Sequence, residues 1–378
     1  MRKERSMAKH HALQTTDERE RALLAPYAMF SSQSRGRRHE ESGHPYRSVF
    51  QRDRDRIVHS AAYRRLSGKM QVFTGDMGDY HRTRLTHTQE VASIARTMGR
   101  ALRLNEDLVE ALALFHDIGH PPYGHAGEDA LAECLAVDGG FSHNQYALTV
   151  AEELETRHQS FPGLNLTREV LEGQATRVDK QASGMQPLLE AQVVEAADSM
   201  TYDAHDVDDA LKLGLVTLEE VHEQDMIRIC VEIIKQREFD LGPSEYIRAL
   251  IHTMVDCQVT NVLENAGPFL EQAGWVSPDD VRQSDYRIGT VGELAEAKQA
   301  MEAFLYERVY RHPELIKTRE RAQSQIHALF ETFVANPDPL PERFKDRIEL
   351  VGLRRSVGDY IAGMTDRFFE QQFVGFVG

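Results

Sequence analysis

Cysteine is scarce in this chain of 378 residues, and no two cysteines are close enough in sequence to form a CxxC pair. The three that occur, Cys134, Cys230 and Cys257, are odd in number and outline no disulfide framework. Such usage favours a reducing compartment. We therefore expect a cytoplasmic protein in which the three thiols act as small buried hydrophobes.

Long apolar runs are also missing, since no segment approaches the ~20 residues that a membrane-spanning helix needs. The first residues, Met1–Thr16, are basic and polar and contain no apolar segment of the secretory type. Strand-like alternation is rare, whereas apolar residues recur at helical spacing along most of the chain. We expect an all-α, bundle-like globular protein with no membrane partner.

Positive charge is in deficit, because 60 acidic residues against 44 Lys and Arg give a net charge of −16. This balance argues against a general nucleic-acid-binding protein. Residues 35–69 are an exception and hold ten Lys and Arg against four acidic residues. This basic strip could neutralise an anionic substrate, or it could be a solvated face or a line of interdomain ion pairs. The sequence leaves both interpretations open.

Imidazoles and carboxylates are concentrated between Arg84 and Glu128. Apolar periodicity predicts a helix over residues 84–102, with His87 in its first turns. A second helix begins near Asn105, and His116-Asp117 stands near its end, just before two prolines that a helix cannot continue through. At a helix end that faces a cleft, both side chains can reach one ion. Histidine with aspartate suits a divalent metal that keeps open positions for water.

A fourth ligand could come from Asp198, far along the chain. Asp198, Tyr202 and Asp206 are spaced at i, i+4 and i+8, so they share one face of a predicted helix. A solvent-facing acidic stripe explains that spacing equally well. Further titratable residues stand nearby, and their density exceeds what a core tolerates without partners: His120, His125, Glu128 and His143.

These residues belong to longer motifs, Arg82-Thr-Arg-Leu-Thr-His87, Phe115 to Glu128, Phe141-Ser-His-Asn144 and Tyr202-Asp-Ala-His-Asp206. The set His87, His116-Asp117 and Asp198 resembles the HD superfamily of metal-dependent phosphohydrolases. Its extended context resembles the bacterial deoxyguanosinetriphosphate triphosphohydrolase-like family over about residues 35–370. The resemblance implies an HD-domain helical core with an additional C-terminal helical region. The expected division is a flexible segment at 1–34, a basic lead-in with a substrate-wall helix at 35–83, the HD core at 84–210 and C-terminal helices at 211–378.

The resemblance also implies roles for individual residues. His87, His116, Asp117 and Asp198 would bind a divalent ion, either Mg, Mn or a transition metal such as Fe, Co or Ni. His125 and Glu128 match the catalytic pair, joined by His120. Arg84 and His143 would contact phosphates, Tyr202 the deoxyribose, and Asp206 with Gln71 the 3′-hydroxyl. The family's Lys-His character is missing from residues 174–186.

The expected activity is metal-dependent hydrolysis of dGTP or another dNTP to the deoxynucleoside and inorganic triphosphate. One alternative is another HD phosphohydrolase, such as a nucleoside monophosphatase or phosphodiesterase. A second is a non-catalytic HD protein that binds a nucleotide or, less favoured, single-stranded nucleic acid through the basic strip. The resemblance implies a homo-oligomer, often hexameric, and leaves room for an activating dNTP at a second site.

Overall fold

The computed structural model describes residues 14–71, 82–156, 159–178, 185–236 and 241–378. These ranges form α-helices joined by turns and contain no β-strand, only three isolated bridges. The all-α prediction is confirmed. The helices are α1 Thr16–Leu23, α2 Val49–Val58, α3 Ala61–Arg65, α4 Arg84–Ala101, α5 Glu106–Phe115, α6 Gly124–Cys134, α7 His143–Thr149, α8 Arg168–Val178, α9 Leu189–Lys212, α10 Leu218–His222, α11 Asp225–Gln236, α12 Pro243–Ala273, α13 Pro278–Arg282, α14 Glu293–Leu305, α15 Pro313–Ala335, α16 Glu342–Val351, α17 Leu353–Ala362 and α18 Asp366–Phe376.

Local caps fix where the first two site-bearing helices begin. The Thr83 hydroxyl accepts a hydrogen bond from the Thr86 amide at 3.3 Å at the start of α4. The Asn105 side chain accepts one from the Leu108 amide at 3.4 Å at the start of α5. Each bond satisfies an amide that the first helical turn leaves without a partner. The start of each helix is therefore fixed by residues within its own sequence.

The turn between α5 and α6 is tight and depends on glycine. Pro121 and Pro122 end the helical path, and Tyr123 then adopts a left-handed backbone with φ 61°. Gly124 follows with φ 57°, and a Cβ added there would lie 2.6 Å from Nη2 of Arg84. The glycine thus allows α4 and the start of α6 to approach each other closely.

Two hydrophobic clusters make up the interior. The larger cluster joins α2, α4, α5, α6 and the first half of α9 to the last helices, with Phe330, Phe333 and Phe369 fully buried in it. The smaller cluster joins the second half of α9 to α11, the first half of α12 and α14. The two longest helices, α9 and α12, therefore run through both clusters and tie them together.

The C-terminal helices also hold two loops, at Met70 and at Tyr123, in place. The Asp366 carboxylate accepts hydrogen bonds from the Met70 amide at 2.9 Å and the Tyr123 amide at 3.0 Å. Beside it, the buried Lys69 ammonium donates to the carbonyls of His120 and Ala362. Burial lowers the pKa of Lys69 to about 7. This group, which we call the Lys69–Asp366 seam, joins the start of α18 to both loops.

Most basic residues of the strip form ion pairs with other residues of the protein. Ion pairs join Arg35 to Glu169, Arg37 to Asp53, Arg47 to Asp55, Arg52 and Arg56 to Glu41, and Arg54 to Glu110. This is the pattern expected of a line of structural ion pairs. Lys69 is the member of the strip that reaches a loop of the candidate site.

Several local expectations differ from the structure or fall outside it. Residues 14–34, which were expected to be flexible, form α1 and a turn anchored when the Met29 amide donates to Glu190 at 2.8 Å. Apolar residues recur at helical spacing from Asp53 to Leu66 and predict one helix there, but the structure breaks it at Ser60, whose hydroxyl caps α3. The residues Gln71–Phe73 predict a short extended piece followed by a loop, and both lie mainly in residues 72–81, outside the described ranges.

Two of the three thiols meet although they are distant in sequence. The Sγ atoms of Cys230 on α11 and Cys257 on α12 lie 3.8 Å apart, and both cysteines are unbridged. Among the described helices, none is long and apolar enough to cross a bilayer.

Candidate metal centre and active site

Three elements bring the four predicted metal ligands together. His87 comes from the first turn of α4, His116 and Asp117 from the end of α5, and Asp198 from α9. One ligand atom from each of His87, His116 and Asp117 lies within 4.8 Å of the others. Asp198 Oδ1 lies 3.1 Å from Nε2 of His87 and 3.5 Å from Nε2 of His116. The structure therefore brings together four residues from segments more than 80 residues apart, and their binding of a metal stays a prediction.

The two imidazoles fit a metal ion in their hydrogen bonding. His116 donates from Nδ1 to the Ala113 carbonyl at 2.6 Å, so in the neutral ring the lone pair stands on Nε2. Burial lowers the pKa of His116, but Asp117 and Asp198 raise it overall. That Nε2 is buried and has no hydrogen-bond partner. An orphaned acceptor beside two carboxylates is what a cation would satisfy, and a carbonyl that fixes the other ring nitrogen is the usual support of a ligating histidine.

Both carboxylates are held ionised. Burial alone would raise the pKa of Asp117, but His120, His116 and Arg84 together hold it well below its usual range. Burial likewise opposes ionisation of Asp198, yet His116 and the Arg177 guanidinium, whose Nη2 donates to Oδ2 at 2.6 Å, hold the pKa of Asp198 well below its usual range. Ionised oxygens and neutral imidazole nitrogens are suitable donors for a divalent metal.

A second group of titratable side chains lies beside the metal centre. The Glu128 carboxylate accepts from Nδ1 of His143 at 2.8 Å and from Nδ1 of His125 at 3.1 Å. His120 stacks on His143 with ring centroids 3.8 Å apart at 17°, and its Nε2 lies 3.1 Å from Asp117 Oδ1. We call these four residues the histidine–glutamate cluster. His120 connects it to the metal centre.

The histidine–glutamate cluster has ligand atoms close enough for an ion, but two of its rings are poorly oriented to share one. Ring lone pairs lie in the ring plane, so the nearly parallel rings of His120 and His143 do not aim at one point. Glu128 already receives hydrogen bonds on both oxygens. Although burial opposes its ionisation, the bonds from His125 and His143 keep the pKa of Glu128 far below its usual range. The His125 side chain is 58% exposed and forms the open side of the cluster.

Arg84 and Gln71 lie beside the candidate metal centre, and each has a buried polar atom without a hydrogen-bond partner. The buried Arg84 guanidinium donates from Nη1 to Asp117 Oδ2 at 2.9 Å and from Nη2 to the Gln71 carbonyl at 3.0 Å. Its Nε has no hydrogen-bond partner, and neither does Oε1 of Gln71. Arg84 is therefore oriented by the metal centre, and a phosphate contact for it stays a prediction.

The sugar-side residues follow Asp198 along α9. Tyr202 stacks on Tyr310 with ring centroids 6.4 Å apart at 14°. The Tyr310 hydroxyl donates to Asp206 Oδ2, while Oδ1 of the fully buried Asp206 has no partner. Burial raises the pKa of Asp206 well above the usual carboxyl range. A buried, unpaired carboxyl oxygen is suited to hydrogen-bond a ligand hydroxyl.

Unpaired atoms gather at this site. Ten buried side-chain polar atoms in the described residues have no hydrogen-bond partner, and five belong to the twelve predicted site residues. Unsatisfied buried groups are costly in a native protein unless something binds them. Their concentration around the metal centre indicates a ligand site.

The sequence analysis missed several residues that contact the site: Glu90, Arg177, His205 and Tyr310. Two of these had a signal, because Glu90 follows His87 by three residues and His205 follows Asp198 by seven, both helical spacings. Arg177 lies in the segment that departs from the family pattern, and Tyr310 follows α14 in a π-helical turn. Neither has a local pattern that points to the site.

A large cavity lies next to the metal centre rather than in it. It measures about 860 Å³, and helices α4, α9 and α12 form its walls. Glu90 and His205 line it, but none of the twelve predicted site residues does. The cavity therefore touches Glu90 and His205, which lie beside His87, and not the four candidate metal ligands.

Comparisons with known proteins agree with the geometry. The HD domain family matches residues 84–203, and the phosphohydrolase-associated domain matches residues 289–374. The chain is 40% identical over 365 residues to a deoxyguanosinetriphosphate triphosphohydrolase-like protein of Nitrosomonas europaea, covering 93% of this chain and 97% of the relative. Relatives of the same name from Geobacter metallireducens (40% over 369 residues, 94% and 95% covered) and Azoarcus sp. (41% over 357 residues, 91% and 94% covered) are similar to the same extent.

Proposed function

Since this chain belongs to the deoxyguanosinetriphosphate triphosphohydrolase-like family of HD-domain phosphohydrolases, we propose that it hydrolyses deoxynucleoside triphosphates to a deoxynucleoside and inorganic triphosphate. The observation that supports the proposal is the contact between the candidate metal ligands and the histidine–glutamate cluster. The two groups are joined by His120, which lies 3.1 Å from Asp117 and stacks on His143.

His87, His116, Asp117 and Asp198 would hold a divalent ion. When bound, such an ion supplies a Lewis acid that neutralises phosphate charge and lowers the pKa of bound water. Arg84, already aligned by Asp117, would turn its free Nε toward the phosphates. His120 and His143 would face the triphosphate from the other side. Together these groups would offset the charge of a substrate of about −4.

His125 would donate the proton that the leaving group needs. Its Nδ1 is held by Glu128 at 3.1 Å, so its Nε2 is the nitrogen that remains available. The Glu128 carboxylate would orient the ring so that Nε2 donates to the departing 5′-oxygen. The open side of the cluster, where His125 lies, is the side from which a nucleotide could enter.

Tyr202, Asp206 and Gln71 would select a deoxynucleotide. Asp198 and Asp206 are separated by ~12 Å along the axis of α9, a span that a nucleoside with its inner phosphate can bridge. The 3′-hydroxyl would satisfy the unpaired oxygens of Asp206 and Gln71. Tyr202, held by Tyr310, would leave no room for a 2′-hydroxyl.

The test is a product analysis. Purified protein is incubated with each dNTP and each NTP, alone and mixed, with Mg²⁺ or Mn²⁺, and the phosphorus products are resolved by ³¹P NMR. We expect triphosphate and deoxynucleoside from dNTPs, and none after chelation or in an Asp198→Asn variant. The mixtures test an activating dNTP, and light scattering tests the expected homo-oligomer. Release of orthophosphate or pyrophosphate in place of triphosphate would refute the proposal.

A further inference from the structure

A chain of hydrogen bonds runs from the Nδ1 side of the candidate ligand His87 through His205 to Glu90. His205, from α9, places its Nδ1 3.4 Å from Nδ1 of His87. On its other side, His205 Nε2 is hydrogen-bonded to the Glu90 carboxylate. Glu90 stands one turn after His87 on α4, so the same two helices supply all three residues.

The direction of these hydrogen bonds follows from Glu90, at the end of the chain of hydrogen bonds away from His87. An ionised carboxylate only accepts, so His205 must donate from Nε2 to Glu90. The contact between the two Nδ1 atoms needs one donor and one acceptor, and a neutral His205 that already carries its proton on Nε2 can only accept there. His87 therefore donates from its own Nδ1. In a neutral His87 the lone pair then stands on Nε2, 3.1 Å from Asp198 Oδ1. These are two facing acceptors, which a cation could satisfy together.

We propose that His205 and Glu90 are positioning residues that hold His87 in its metal-binding tautomer. His116 achieves the same state with a backbone carbonyl, whereas His87 depends on two side chains. Removing the acceptor at His205 would leave the His87 Nδ1–H buried without a partner. Removing Glu90 would free His205 to carry its proton on Nδ1, where it would face the Nδ1–H of His87.

The Glu90 end of this chain of hydrogen bonds can be changed without disturbing the core. The Glu90 side chain is 51% exposed and lines the 860 Å³ cavity, whereas His205 is buried. Thr97 lines the same cavity two turns further along α4 and hydrogen-bonds only to the Ser93 carbonyl, at 3.0 Å. It offers a matched control, because its removal changes the cavity wall but not His87.

The test measures Mn²⁺ binding by the full chain with calorimetry and EPR, alongside thermal melting of the metal-free protein. Removing a residue that holds a metal ligand in place, without contacting the metal itself, lowers metal affinity by about 10–100-fold. We expect that loss for His205→Phe and Glu90→Leu, with melting of the metal-free form little changed. His205→Asn places an amide oxygen near the old Nδ1 and should bind Mn²⁺ within a few-fold of the native protein. Thr97→Ala should match the native protein.

The double variant separates positioning from packing. Because an amide side chain at position 205 has no tautomer to control, Glu90→Leu should weaken Mn²⁺ binding in the native background but not in the His205→Asn background. Equal Mn²⁺ affinity in Glu90→Leu and the native protein would overturn the inference, as would an equal loss in both backgrounds. If His205→Phe does not fold, the comparison of Glu90→Leu in the native and His205→Asn backgrounds still tests the inference. The inference rests on the proposed metal centre; a protein that binds Mn²⁺ but releases no triphosphate would refute the activity and leave the positioning role standing.

Discussion

The unpaired oxygen of Asp206 gives a quantitative prediction about the 3′-hydroxyl. A substrate lacking that hydroxyl, a 2′,3′-dideoxynucleoside triphosphate, would leave the buried Oδ1 unsatisfied. The cost of such a lost bond is ~1–3 kcal/mol, which corresponds to about 5- to 150-fold in kcat/KM. We therefore expect the native protein to prefer the dNTP to its dideoxy analogue by a factor in that range.

Asp206→Ala should remove the preference, because the acceptor is gone for both substrates. The ratio of the two kcat/KM values, measured by triphosphate release, cancels any general loss of folding or metal. Tyr310→Phe should give an intermediate ratio, since it frees the Asp206 carboxyl without deleting it. A native ratio near one, or a native ratio retained in Asp206→Ala, would refute the reasoning.

Three further predictions concern other parts of the site. Asp117→Asn removes an ionised ligand, so calorimetry should show Mn²⁺ affinity reduced by more than the ~10–100-fold expected on removing a residue that only holds a ligand in place; native affinity would contradict the metal centre. Glu128→Gln should lower kcat by at least ~10-fold with little change in KM, because a neutral amide orients the His125 ring less strongly than a carboxylate does; an unchanged kcat would contradict this role of Glu128. Asp366→Asn leaves one of two loop amides without a good acceptor and should lower the unfolding free energy by ~1–3 kcal/mol, while the exposed Asp346→Asn should stay within about 0.5 kcal/mol; equal effects on denaturant midpoints would contradict the seam.

Much of the fold could be predicted because the caps and apolar stripes that indicate helices lie within or next to the helices themselves. The helix predicted at residues 84–102 is observed as Arg84–Ala101, since its cap and its apolar stripe lie within its own sequence. The proximity of His87, His116-Asp117 and Asp198 could be expected because these residues lie in recognisable motifs, and their role as ligands stays a prediction. The break at Ser60 went unnoticed because a serine that caps a new helix looks the same in sequence as one within a helix.

Contacts between distant segments could not be predicted. Nothing near Cys230 indicates that Cys257 lies 3.8 Å away. Arg177 reaches Asp198 only because α8 packs beside the metal centre, and a lone arginine carries no signal of that placement. Arg84 was expected on a phosphate, but its guanidinium already contacts Asp117, which only the packing of α4 against α5 reveals.

The Lys69–Asp366 seam has a consequence for where this molecule can be divided. The segment that carries the four candidate ligands ends long before Asp366, yet the loops at Met70 and Tyr123 bond to that carboxylate. A chain cut before α15 would keep those four residues but expose the core surface that Phe330 covers, and the Met70 and Tyr123 amides would lose their acceptor. We therefore expect a truncated chain to lose its shape at the two loops beside the candidate site.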